Sequence, residues 1–139
     1  MTLVDTNILL DLARNDPDWA DWSVFQLSIA ALSGAIVINP IVYAEFSVGY
    51  SRIEDMDAVL QDTAIEVVET PREALFLAGK VFQRYRQAGG VRTGVLSDFF
   101  IGAHAAVAGI ALLTRDARPY RRYFPTVALI TPPPPDFDR

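Results

Sequence analysis

The 139-residue chain contains no cysteine, one histidine (His104) and one lysine (Lys80). The missing cysteines exclude disulfides, a thiolate nucleophile and any thiolate metal site. A single histidine excludes the two- or three-imidazole zinc sites of most zinc hydrolases. Any metal here must be held by oxygen, which points to magnesium or manganese. Long hydrophobic runs are also missing. The longest, Phe99–Leu113, is interrupted by His104 and falls short of the roughly 18 apolar residues of a membrane helix. Met1 leads straight into Thr2–Asp5 without a basic or apolar leader, so the expectation is a cytoplasmic protein with no membrane association.

What is present suits one folded domain. Hydrophobic residues make up 51% of the chain, enough to build a core. The net charge of −5 is unevenly spread. Residues 1–78 hold 13 acids and 3 bases, a net −10, whereas residues 79–139 hold 4 acids and 9 bases, a net +5. A net acidic protein can still meet a polyanion through a local basic surface, although charge blocks are commonly just solvated faces.

The pattern along the chain alternates short apolar strands with longer helices. Strands are expected at Thr2–Val4, Ala35–Ile38, Ile65–Val68, Ile110–Leu113 and Thr126–Ile130. Helices are expected over Ile8–Ala13, from Asp16-Pro17 to Gly34, over Ile41–Tyr50, over Ile53–Thr63, from a Thr70 cap to Gln87, and over Asp98–Ala108 capped by Ser97. Arg118–Tyr123 reads as a turn or short helix. The stripe Trp19, Trp22 and Phe25 reads as core, part of which could serve a dimer or partner helix. Pro132–Pro135 reads as an extended tail, leaving a domain over 1–131 and a tail over 132–139. The fold class is α/β, a short, mostly parallel sheet flanked by helices on both faces.

In such a sheet, sites form beyond the carboxyl ends of the strands. Asp5 follows the first strand, in Leu3-Val4-Asp5-Thr6-Asn7, and Asp116 follows the fourth, in Leu113-Thr114-Arg115-Asp116. Asp98 opens the helix that leads into that fourth strand. Glu45 sits in the apolar run Ile41–Phe46, where a charge is costly without a partner. Each acid also has a structural reading. Asp5 could cap a helix, Asp98 could favour a helix dipole, and Asp116 could be a turn residue. Crowded together, they would repel one another without a cation.

These four acids, in this order and at these spacings, resemble the PIN domain family. The likeness is to the VapC-type toxin ribonucleases of toxin–antitoxin pairs, and it spans nearly the whole chain. It implies magnesium-dependent hydrolysis of RNA, with manganese as a substitute. Asp5, Glu45, Asp98 and Asp116 would be catalytic, and Asp5, Asp98 and Asp116 would be the metal ligands. Thr6, Asn7, Thr114 and Arg115 would be supporting residues. It also implies a VapB-type antitoxin partner and a homodimer.

The other charged residues have looser expectations. Arg115 is expected to contact RNA or pair within the acidic cluster. Lys80, Arg84, Arg86 and Arg92 form a second basic group, and Arg14 is expected in solvent. His104 lies about 240° around the helix from Asp98 and is expected to be structural. Rival readings are weaker. An aspartyl-nucleophile phosphatase would carry a second acid where Asn7 stands. A non-enzymatic receiver-like or binding domain with an acidic pocket would need a late strand-end lysine, and Lys80 falls within an expected helix.

Overall fold

The computed structural model describes residues 1–134. Five strands form one sheet: β1 (Thr2–Val4), β2 (Ile36–Ile38), β3 (Ile65–Val67), β4 (Ala111–Leu113) and β5 (Leu129–Ile130). The order is β3-β2-β1-β4-β5, and every pairing is parallel. Seven helices connect them among the described residues: α1 (Thr6–Ala13), α2 (Ala20–Ser33), α3 (Pro40–Ser47), α4 (Ile53–Asp62), α5 (Arg72–Gln87), α6 (Val95–Ala108) and α7 (Arg118–Tyr123). Leu3, Val4, Val37, Ile38, Leu112 and Leu113 are fully buried, as expected for strands covered on both faces.

The strand order explains where a site can form. The chain moves outward from β1 through β2 to β3, then returns to the other side of β1 for β4 and β5. The connections after β1 and β4 therefore part in opposite directions. A crevice opens between them beyond the strand ends, where ligands of open α/β sheets bind. Val4 pairs with Leu113 at that edge, which sets Asp5 beside Thr114.

Several boundaries differ from the sequence expectation. Thr70 does not cap α5. Its hydroxyl is buried without a partner, and the helix starts at Arg72 behind Pro71. Ser97 lies inside α6, which begins two residues earlier at Val95. Pro17 sits in a turn, where the Asp16 carboxylate accepts from the Asp18 and Trp19 backbone N–H groups, and α2 starts only at Ala20. The last strand shrinks to Leu129–Ile130, at a sheet edge with a single neighbour. The proposed tail lies mostly beyond the described residues, which include only Pro132, Pro133 and Pro134 of it.

The reading of Trp19, Trp22 and Phe25 as core holds for Trp22, which packs against the core, and is corrected for Phe25. Ala20, Ser23, Leu27 and Ala30 are the residues α2 buries, while Phe25 is 61% and Leu32 88% exposed. The run is apolar nearly all round, so periodicity could not say which stripe faces inward. Trp19 instead lies under the Arg115 guanidinium, 5.1 Å from its ring centre.

Two glycines shape α6. Gly109 ends it in the left-handed region, φ +66°, where a side chain would be strained. Gly102 lets the Phe124 ring lie against the helix, and a Cβ there would overlap that ring. A ring cluster of Phe82, Tyr85, Phe99, Tyr123 and Phe124 thereby ties α5, α6 and α7 together.

Candidate acidic site at the sheet switch point

Asp5 leaves β1 and caps α1, with its Oδ1 accepting from the Thr6 backbone N–H at 2.7 Å. Its Oδ2 collects three further donors: the Thr114 hydroxyl at 2.8 Å, the Tyr120 hydroxyl at 2.8 Å and the Asn7 amide at 3.5 Å. The structural reading of Asp5 as a helix cap is thus correct, and capping does not exclude it from the crevice. Thr114 accepts from the Asp116 backbone N–H at 3.1 Å, and the Asn7 carbonyl accepts from the Arg115 backbone N–H at 3.1 Å. These bonds tie the loop after β4 to the loop after β1.

Glu45, on α3, accepts from the Thr6 hydroxyl at 2.7 Å through Oε1 and from the Ser97 hydroxyl at 3.2 Å through Oε2. Its apolar neighbours Val42 and Phe46 face the core, while Glu45 turns toward the crevice. Asp98 enters from the first turn of α6, and Asp116 from the loop before α7. All four acids line one cavity of about 230 Å³, together with Thr6, Asn7, Leu10, Pro119 and Tyr120.

The charges in this cavity are not balanced. Burial, then the neighbouring charges of Asp5, Glu45 and Asp116, push the Asp98 carboxyl up to about 7, and Arg92 only partly offsets them. Burial raises Asp5 as well, against the pull of Tyr120, Thr114 and Thr6. Asp116 goes the other way. Its partial burial is outweighed by hydrogen bonds and charge from Arg118 and by the charge of Arg115, so its carboxyl lies below the usual range. The Arg118 guanidinium reaches Asp116 at 3.1 Å.

The donors suit a divalent cation of the magnesium type. They are all oxygen and they crowd, and burial together with that crowding holds one carboxyl near neutral titration. Among the described residues, no group of three or more acids or histidines is already arranged to hold a metal ion. Magnesium keeps several of its waters and needs only one or two direct carboxylates, so a preformed cage is not required.

Two expectations about basic and imidazole residues resolve here. Arg115 does not pair within the four-acid cluster. Its Nε and Nη2 grip the buried Asp11 at 2.6 and 2.9 Å, and Asp11 also accepts from Ser23. Asp11 lies six residues along α1 from Asp5, and no motif in the sequence connects it to Arg115. His104 is structural, as expected: it is buried, and Asn39 donates its amide to His104 Nδ1 at 3.2 Å. The Asn39 Oδ1 accepts from Ile41 and Val42, which fixes the amide orientation and makes Nδ1 the acceptor. Burial lowers the imidazole pKa, which favours the neutral ring with its proton on Nε2.

The sequence reading missed Tyr120, whose hydroxyl is buried against Asp5. The only signal was a tyrosine placed six residues after Thr114. Ser97 was assigned as a cap rather than a partner of Glu45. Lys80 lies within α5, away from the strand ends, so the receiver-like arrangement is not present.

A small parallel α/β domain with an acidic pocket at its switch point is the class of protein these features define. A family model described as PIN domain matches residues 2–125, and the chain belongs to that family. Solved structures share the fold. A chain of VapBC2 from Rickettsia felis, bound to a DNA fragment from their promoter, is similar with a TM-score of 0.73 and 23% identity, over 94% of this chain and 97% of that one. DNA-bound VapBC from Salmonella typhimurium gives 0.66 and 22% identity, over 94% and 96%. FitAcB from Neisseria gonorrhoeae gives 0.65 and 18% identity, over 93% and 96%. At these identities the likeness establishes the fold alone. No curated protein matches the sequence. No helix among the described residues is long and apolar enough to cross a membrane.

Proposed function

We propose that this protein is a magnesium-dependent endoribonuclease, the VapC-type toxin of a toxin–antitoxin pair. The observation that carries the reading is the convergence of Asp5, Glu45, Asp98 and Asp116 on one cavity at the β1/β4 crevice. Asp5, Asp98 and Asp116 would hold magnesium, or manganese in its place. When bound, the ion would supply Lewis-acid stabilisation of a phosphodiester and a more acidic water.

The chain's own residues divide the remaining work. Asp5 is held by four donors before any ligand arrives, so little ordering is left to occur on binding. Asp98, whose carboxyl is raised by burial and by the neighbouring acids, would hold the ion as its carboxylate. Glu45 is fixed by Thr6 and Ser97, where it can accept a hydrogen bond from the attacking water. Thr6, Asn7 and Thr114 support these acids, and Arg115 braces the β4 loop through Asp11. No protein nucleophile is needed.

A VapB-type antitoxin and a second copy of the chain are the proposed partners. They are supported by the neighbouring VapBC and FitAB assemblies and by the exposed apolar residues Phe25 and Leu32 on α2. The proposed site of action is the cytoplasm. The proposed domain extends over 1–131, with 132–139 as a tail.

The test is cleavage of a mixed single-stranded and structured RNA pool by purified protein. Magnesium should support cutting, and EDTA should stop it. Asp5→Asn should abolish cutting while leaving the circular dichroism spectrum intact. Equal cutting by Asp5→Asn, or full activity in EDTA, would overturn the reading.

A further inference from the structure

The pocket acids are not equally supported. Asp5 and Glu45 are each held by hydroxyls from other elements. The Asp116 carboxylate, among the described residues, accepts only from Arg118 in its own turn, and the Arg118 side chain is 91% exposed. An exposed pair of this kind fixes little. The place of Asp116 is therefore set by the loop that carries it.

That loop meets α1 at two levels. At the first turn, the Thr114 hydroxyl donates to Asp5 and the Arg115 backbone N–H donates to the Asn7 carbonyl. These contacts are neighbours, so alone they would let the residues beyond them swing. The Arg115 guanidinium adds a contact at Asp11, four residues or about 6 Å further along α1. Spaced contacts resist a rotation that adjacent ones permit.

The contact at Asp11 fixes direction as well as distance. Nε and Nη2 meet both carboxylate oxygens, at 2.6 and 2.9 Å. The Ser23 hydroxyl of α2 donates to the same carboxylate at 2.9 Å, and the guanidinium lies over the Trp19 ring. The Asp11 side chain is only 2% exposed. A join that served stability alone would not need buried charge. Desolvating an ion pair offsets most of its attraction, and apolar residues of similar volume commonly hold as well or better. What the pair adds is a planar, two-point geometry. Arg115 directly precedes Asp116, so this geometry constrains how the next side chain leaves the backbone. Asp11 itself lines no part of the pocket.

We propose that Asp11 is a positioning residue for the magnesium site: acting through Arg115, it holds Asp116 where the ion is bound. This rests on the reading of Asp116 as a metal ligand. It requires no substrate, so magnesium alone is the probe, titrated into the full chain by calorimetry. Asp11→Asn keeps the shape of the side chain and removes the charge that orients the guanidinium. Magnesium affinity should fall about tenfold, as it does when groups that orient metal ligands are lost. Arg115→Lys keeps the buried acid paired but loses the two-point geometry, and should weaken magnesium by a similar factor. It decides the question if Asp11→Asn does not fold.

The arm that separates positioning from stability uses Asp116→Asn. With Asp116 already replaced, adding Asp11→Asn or Arg115→Lys should change magnesium affinity by less than about twofold, because the path runs through Asp116. A merely structural pair would weaken both backgrounds equally. Unchanged affinity in either folded single variant, or an equal tenfold loss with and without Asp116, would overturn the proposal. Unchanged affinity in Asp116→Asn alone is a different failure. It would overturn the ligand reading first, and the positioning role with it.

Discussion

Asp5 and Asp98 are two carboxyls in the same pocket with opposite surroundings. Asp5 is more deeply buried, yet it receives one backbone and three side-chain donors. Asp98 is only partly buried, and among the described residues no hydrogen bond reaches its carboxylate. Asp5 thus has a fixed position, whereas Asp98 carries the uncompensated charge of the cluster. The difference separates an anchored carboxylate from a responsive one. A third buried acid, Asp11, extends the comparison: a bidentate arginine neutralises it, and it lines no part of the pocket.

Removing the anchor should have the largest effect. Asp5→Asn should lower RNA cleavage about 10³-fold, the equivalent of several kcal/mol of lost charge stabilisation, as measured by single-turnover kinetics. Next comes the paired acid. Arg115→Ala leaves Asp11 buried with only Ser23 beside it and should cost about 3–4 kcal/mol of stability in urea unfolding. If the cost is under about 1 kcal/mol, the pair behaves as a surface bridge and the comparison with Asp5 fails.

The donors around Asp5 come third. Tyr120→Phe should weaken magnesium binding about 10- to 100-fold, as groups that orient metal ligands typically do. Calorimetry with magnesium alone reads this without any substrate. Unchanged affinity would show that Thr114, Asn7 and Thr6 suffice to hold the carboxylate.

The smallest effect tests Asp98. Its folded pKa is raised, to about 7 against 3.8 in the unfolded chain. Its contribution to stability is therefore fully present below about pH 4 and is lost as pH rises through 7. In metal-free protein, Asp98→Asn should raise stability at pH 8 by about 1–2 kcal/mol, discounted for solvent screening, and by nothing near pH 4. Magnesium should stabilise the parent at pH 8 more than it stabilises Asp98→Asn. A melting-temperature series with and without magnesium checks both signs.

Much of this was legible in the sequence for local reasons. Short apolar runs between longer helical stretches were enough to announce five strands in a mostly parallel sheet, and each strand was found within three residues of its expected span. Caps were harder to read. Thr70 and Ser97 have good capping chemistry, but Pro71 and the early start of α6 at Val95 displaced them. The uniformly apolar α2 could not reveal its inner face, because that face is chosen by what packs on it.

The acidic pocket divides along the same line. Residue type and the lack of cysteine and of a second histidine determined an oxygen-only donor set, and strand ends pointed to Asp5 and Asp116. Only the tertiary structure decided that Glu45 turns into the crevice, that Tyr120 braces Asp5 and that Arg115 belongs to Asp11. Those contacts join residues 39 to 115 positions apart. Local pattern sets which elements form, whereas the partner of each buried polar group is settled only when the strand order brings distant loops to one edge.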